Sequence, residues 1–154
     1  MKMIGIIMRP EQASFVSLLF RFILSLVFII SALDKIASPA EFAIAVENYR
    51  IIPSVFTNTI AIFLPWIEFF CGLFLLLGIW QRGSTVIIAA LSILFISAMI
   101  SVLLRGLDID CGCFGAGVKV DNYRIAEDIV LLLLALFLIK FPSEKFTLDR
   151  FPVR

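Results

Sequence analysis

Cys111 and Cys113 stand one residue apart in the run Cys111-Gly112-Cys113-Phe114-Gly115, with Arg105, Asp108, Asp110, Lys119, Asp121 and Arg124 close by in sequence. The thiolate is the reactive form of cysteine, and its formation depends on exposure and on neighbouring charge. A disulfide between residues i and i+2 demands distorted geometry. It closes so short a loop that it adds almost no chain-entropy stabilisation. Strained, exposed disulfides are labile and oxidising, and Gly112 supplies the backbone freedom such a turn requires. The spacing therefore suits passing a disulfide on better than stapling a fold. Metal binding is a rival reading, with Asp108 or Asp110 completing a thiolate pair. Without histidine or a third nearby cysteine that ligand set is thin. Inert thiols in a structural turn are the third reading.

The surrounding chain fixes where this chemistry sits. Of 154 residues, 62% are hydrophobic and 16% charged, and the mean hydropathy is +1.09. Soluble domains are about 45–50% apolar and about 25% charged, and a chain this small cannot bury such an excess in water. The composition predicts an all-α integral membrane protein, residues 1–154 forming a single membrane domain in contact with the lipid bilayer. A net charge of +1 gives no reason to expect nucleic acid. The absence of histidine removes His-ligated haem and the usual zinc and copper sites, so neither haem nor metal is expected.

Four apolar runs predict four transmembrane helices, at about 14–37, 56–80, 84–104 and 124–141, each near the length needed to cross a ~30 Å hydrocarbon layer. The first is too long for a signal-peptide core and reads as a retained span. Within it Arg21, Phe28 and Lys35 share a face with Ser25. An intramembrane arginine points into a bundle or snorkels to the near surface, and Arg21 lies only ~10 Å from the start of its span. Ser38-Pro39-Ala40-Glu41 has the form of a capping box opening a short helix to about Arg50, with Phe42, Ala45, Val46 and Tyr49 on its apolar face. That pattern predicts an interfacial helix in the first outward loop.

In the second span Pro65, Glu68, Cys71 and Gly72 form one small or polar stripe. Glu68 is a functional candidate because intramembrane charge is expensive, and Arg21 is its expected partner. Cys71 lies too deep for a surface thiol and reads as apolar filler. Gln81-Arg82-Gly83 predicts a tight turn, and Ala90, Ser97 and Ser101 a stripe for close helix contact. Asp121-Asn122 is a candidate cap for the fourth span. Glu127 and Asp128 are placed in its first turn, where the helix dipole favours anions or where either acts as a base for a thiol.

Lysine and arginine counts set the orientation. The termini and second loop hold seven, and the first and third loops five. That bias places both termini in the cytosol and turns the cysteine loop outward, where disulfides persist.

Phe28 to Lys35 with Pro39, Phe42, Tyr49 and Pro53, then Pro65-Trp66-Ile67-Glu68 with Gly72 and Gly78, then Cys111-Gly112-Cys113-Phe114-Gly115, resemble the MauE proteins of the DoxX-like group across all four runs. The resemblance implies a four-helix bundle in the bacterial inner membrane, similar in architecture to vitamin K epoxide reductase and DsbB. It implies a thioredoxin-like extracytoplasmic partner and a role in maturing the disulfide-rich small subunit of methylamine dehydrogenase. Cys111 and Cys113 match the motif cysteines. Glu68, Lys35 and Tyr49 match recurrent polar positions, and Asp128 a polar position opening the last span. Glu127 stands where a basic residue is expected.

Two functions follow as expectations. The first is a membrane thiol–disulfide oxidoreductase or disulfide-maturation factor, with Cys111 and Cys113 catalytic and a quinone as the electron carrier within the bundle. The first outward loop lacks the second cysteine pair that DsbB-type relays use. The second is a non-catalytic scaffold that recruits a maturation or electron-transfer complex, in which the cysteine run is only a turn.

Overall fold

The structure, a computed structural model, describes residues 10–107, 109, 111 and 119–142. The described chain forms α1 (Pro10–Ala37), α2 (Pro39–Asn48), α3 (Ser54–Leu77), α4 (Gln81–Leu104) and α5 (Asn122–Lys140). Three of these helices are long and apolar enough to cross a membrane, over Phe15–Ala37, Ser54–Leu77 and Gln81–Leu104. The fourth expected span, α5, is 19 residues long and carries Arg124, Glu127, Asp128 and Lys140. The N-terminal nine residues and the basic tail lie outside the described residues.

The burial pattern is that of a protein dissolved in lipid. Large apolar side chains such as Phe15, Ile30, Phe63, Ile93 and Leu133 face outward, while Arg21, Ser25, Lys35, Glu68, Ser84, Thr85 and Ser92 are buried. Hydrocarbon reverses the usual preference, because a polar side chain finds partners only inside the bundle. The chain is a helical membrane protein.

The long helices form a ring in which α1 packs chiefly on α3 and α4 on α5, with lighter seams between α3 and α4 and between α1 and α5. Leu24, Phe28, Leu75, Ile88, Leu91, Ala135 and Leu138 from all four meet at its centre. Phe20 meets Phe137 edge-to-face at 5.2 Å across the α1–α5 seam. Gly72 sets the approach of α1 to α3: a Cβ there would lie 2.9 Å from Ile29 Cγ1 and 3.1 Å from the Ser25 carbonyl. The stripe expected on α3 is buried in full, since Pro65, Glu68, Cys71 and Gly72 all face inward. Cys71 is a buried free thiol within the central cluster, as filler should be.

The connections differ from expectation in three places. The reversal between α3 and α4 falls at Gly78 and Trp80, which take φ of 69° and 47°, with Ile79 N–H donating to the Phe74 carbonyl at 2.9 Å. Gln81-Arg82-Gly83 is already the first turn of α4, and Gly83 is small because the Trp80 ring occupies the space a side chain would need. Ser38 makes no side-chain cap to α2. Its N–H still donates to the Asp34 carbonyl at 3.2 Å, so α1 passes into α2 with no amide left for Glu41 to reach back to. Asp121 does cap α5, accepting from Arg124 N–H at 2.9 Å. The helix starts at Asn122, however, so Glu127 and Asp128 fall in its second turn, beyond most of the dipole's reach.

Candidate functional site

Two features meet where α2 closes over the bundle: a buried charge cluster and an apolar cleft that ends on a sulfur. The cluster begins with Lys35, in the last turn of α1. Its Nζ donates to Glu68 Oε1 at 2.9 Å and Oε2 at 2.7 Å, and the two side chains are 4% and 1% exposed. Glu68 therefore pairs with Lys35 and not with Arg21. The antiparallel register explains the difference. With Gly72 set against Ser25 and Ile29, Glu68 lies one turn further toward the C-terminal end of α1, away from Arg21. Arg21 is buried elsewhere on α1, with its guanidinium 5.7 Å from the Phe22 ring.

The Lys35 ammonium also lies 5.4 Å from the centroid of Phe42 on α2 and 4.8 Å from that of Phe95 on α4. Both are cation–π distances. Asp128 of α5 shares a cavity of about 20 Å3 with Ser31, Lys35, Glu68 and Phe95. Its Oδ2 is buried and has no hydrogen-bond partner among the described residues. Glu127, one residue earlier, turns away to pair with Arg124 at 2.5 Å. Neighbouring positions thus divide between a rim ion pair and an inward carboxyl, which composition alone does not distinguish.

The cleft has a volume of about 670 Å3. Phe42, Val46 and Tyr49 form one wall, Ile60 and Leu64 of α3 another, and Ala90, Phe95, Ser97 and Ser101 of α4 a third. The stripe of Ala90, Ser97 and Ser101 does not mediate close helix contact; its small side chains leave the space that becomes the cleft. Cys111 lies at its end. Cys111 is disulfide-bonded and only 3% exposed, so this sulfur faces protein and cleft and not the open surface expected of it. Its Sγ lies 3.8 Å from Met99 Sδ, inside a small cluster with Val102 and Val120. Cys113, Asp108 and Asp110 lie outside the described residues.

Tyr49 fastens the sulfur to the roof. Its hydroxyl donates to the Cys111 carbonyl at 2.9 Å, and its own carbonyl accepts from Arg105 Nη2 at 2.5 Å. Burial, reinforced by the negative charge of Asp128, pushes the Tyr49 phenol up to about 12. Tyr49 is thus a neutral donor throughout the physiological range. Beyond the cysteine, Val120 N–H donates to the Ile109 carbonyl at 3.0 Å, holding the base of the loop.

The structure therefore brings Lys35, Tyr49, Glu68, Cys111 and Asp128 together at one end of the bundle and leaves Arg21 out. Phe95 and Met99 belong to the same assembly and carried no separate sequence signal, each being one apolar residue among many, and Arg105, legible only as one of several charges beside the cysteines, joins them through Tyr49. Among the described residues no three His, Cys, Asp or Glu side chains converge as metal ligands.

A family model described as methylamine utilisation protein MauE matches residues 13–141. The chain is 34% identical over 119 residues to the methylamine utilization protein MauE of Paracoccus denitrificans, an overlap covering 75% of this chain and 64% of that protein. It is 30% identical over 139 residues to the protein of the same name from Methylophilus methylotrophus, covering 88% and 71%. The chain thus spans less than two thirds of the Paracoccus relative's length. No solved structure matches it.

Proposed function

The chain belongs to the MauE family, and from that premise we propose that it is a membrane thiol–disulfide exchange factor working with an extracytoplasmic thioredoxin-like protein. Its setting is the methylamine utilisation that its relatives' names carry, and its client is a disulfide-bearing protein outside the inner membrane. In this reading α5 crosses the bilayer as a fourth span, α2 lies in the interface, the termini are cytosolic and the cysteine loop faces outward. The observation that carries the proposal is the position of Cys111, a disulfide-bonded residue at the end of an apolar cleft.

The proposed cycle balances as follows. A thiolate of the partner attacks the Cys111/Cys113 disulfide, and the burial of Cys111 favours attack at the other sulfur. A mixed disulfide forms and the Cys111 thiolate leaves. The partner's second thiolate resolves the mixed disulfide, so the partner is oxidised by two electrons and the pair becomes a dithiol. A quinone held in the cleft by Phe42, Tyr49, Leu64 and Phe95 would supply the oxidant, accepting the two electrons and two protons of the dithiol. The cleft is apolar and falls within the range of ligand sites, about 300–1,000 Å3.

Trapping tests this. Cys111→Ser, which leaves Cys113 free to hold a mixed disulfide, should accumulate a covalent adduct with a thioredoxin-like protein that reductant dissolves. No adduct from either Cys111→Ser or Cys113→Ser, together with full complementation by the double variant, would leave the scaffold reading in its place.

A further inference from the structure

The strongest feature the exchange cycle leaves unused is the charge cluster behind the cleft wall. Lys35 gives both of its short contacts to Glu68, so that pair is neutral as a unit. Asp128 brings a second carboxyl into the same cavity with a buried oxygen that finds no partner among the described residues. A carboxylate with one oxygen buried and unpaired is disfavoured. A single proton on the two carboxyls removes the surplus charge. The cavity, about 20 Å3, has room for one water, which requires roughly 10–15 Å3 and polar neighbours. Ser31, Lys35, Glu68 and Asp128 supply those neighbours. The cluster also borders the redox site on two sides. Phe42 and Phe95 each face the Lys35 ammonium and each line the cleft. Tyr49, whose hydroxyl sits on the Cys111 carbonyl, lines the same cleft.

We propose that Lys35, Glu68 and Asp128, with one water in the cavity between them, form a proton reservoir serving the redox step at Cys111. The inference rests on the exchange reading above. As the dithiol passes its electron pair to a quinone in the cleft, two thiol protons are released and two are taken up by the quinone oxygens. With a swing of the Phe95 ring that lines both spaces, the reservoir lends one proton to a quinone oxygen from Asp128 and recovers one from the departing thiol, so none is gained or lost over the cycle. Lys35 and Glu68 act as positioning residues, fixing the water and the charge against which Asp128 exchanges.

The full chain in lipid nanodiscs, with its thiols reduced and the reductant removed, is mixed with a short-chain benzoquinone. Thiol re-oxidation is followed by maleimide alkylation. Asp128→Asn should slow re-oxidation by roughly 10²-fold, the lower end of general acid–base contributions, and Asp128→Glu should recover most of the rate. Infrared spectra of the wild type minus those of Asp128→Asn should show a carboxylic-acid carbonyl band that shifts in D2O, in the oxidised and the reduced protein alike. An Asp128→Asn protein that folds and re-oxidises at the wild-type rate overturns the reservoir while leaving the exchange reading standing. So does a wild type that re-oxidises normally without the band. A wild type whose thiols the quinone does not re-oxidise at all removes both the quinone step and the reservoir. Lys35→Met is a second variant with the same expected slowing, and where it fails to fold Asp128→Asn decides alone.

Discussion

Lys35 and Glu68 close on each other across 33 positions of sequence, with both carboxylate oxygens within 2.9 Å of one ammonium. The pair ties the last turn of α1 to the middle of α3 in the buried interior. Removing one partner from a buried pair leaves an uncompensated charge and costs about 3–5 kcal/mol, whereas replacing both with apolar groups is often neutral. Lys35→Met should therefore lower stability by about that amount, and Lys35→Met combined with Glu68→Leu should recover most of it. Reversible unfolding in mixed micelles measures both. A single variant as stable as the parent would mean the pair contributes nothing to the fold.

Gly72 sets the register that brings that pair together. A Cβ at 2.9 Å from Ile29 Cγ1 and 3.1 Å from the Ser25 carbonyl forces α1 and α3 apart, and overpacking of this kind costs about 1–3 kcal/mol. Gly72→Ala should destabilise within that range and Gly72→Val more. The check is the same unfolding measurement, made beside a control substitution at lipid-facing Ile67.

Tyr49 gives a pH signature. Its folded value, about 12, lies above the unfolded value of about 10, so the folded state holds the phenolic proton more tightly. The associated stability is fully present below about pH 10 and is lost as pH rises toward 12. Wild-type protein should lose stability through that window more steeply than Tyr49→Phe. At neutral pH the variant should be weaker by about 1 kcal/mol, the worth of one hydrogen bond. Parallel slopes for the two proteins above pH 10 would refute the assignment.

The cleft can be filled from its own wall. Ser97→Leu adds bulk beside Ala90 and Ser101 at a position exposed to the cleft, outside the central packing cluster. Retention of a lipophilic benzoquinone, read by equilibrium binding in nanodiscs, should fall at least about tenfold, the equivalent of 1.4 kcal/mol, with unfolding behaviour unchanged. Undiminished binding would place the quinone elsewhere.

Asp121 offers a local control. It caps α5 through Arg124 N–H at 2.9 Å, and losing such a cap costs about 0.5–2 kcal/mol. Asp121→Ala should reduce stability by about that much and fray the first turn of α5. Hydrogen exchange at residues 122–125 reads the fraying directly.

Much of this was legible in the sequence because hydropathy and helical period are strong local signals. The apolar runs mark the long helices, the Pro65–Glu68–Cys71–Gly72 stripe marks the inward face of α3, and Asp121 marks the start of α5. What escaped was relational. Arg21 and Lys35 share a face, so periodicity alone cannot say which of them meets Glu68; that is decided by how α1 slides on α3, which Gly72 fixes. Ala90, Ser97 and Ser101 have the composition of a contact stripe, and only the lighter α3–α4 seam turns their smallness into a cleft. The turn misplaced onto Gly83 shows the same limit, because a glycine chosen for a neighbour's ring looks in sequence like one chosen for its own backbone.

Phe95 stands on both sides of a boundary: one face of its ring borders the cleft, and it also closes the chamber that holds Lys35, Glu68 and Asp128. A greasy compartment and an ionic one are thus separated by the thickness of an aromatic ring. Neither can be reshaped alone at this position, since trimming the partition merges them and enlarging it crowds both. Residue 95 is therefore a shared constraint on any redesign of this protein, although it carries no charge, no sulfur and no hydrogen-bonding group of its own.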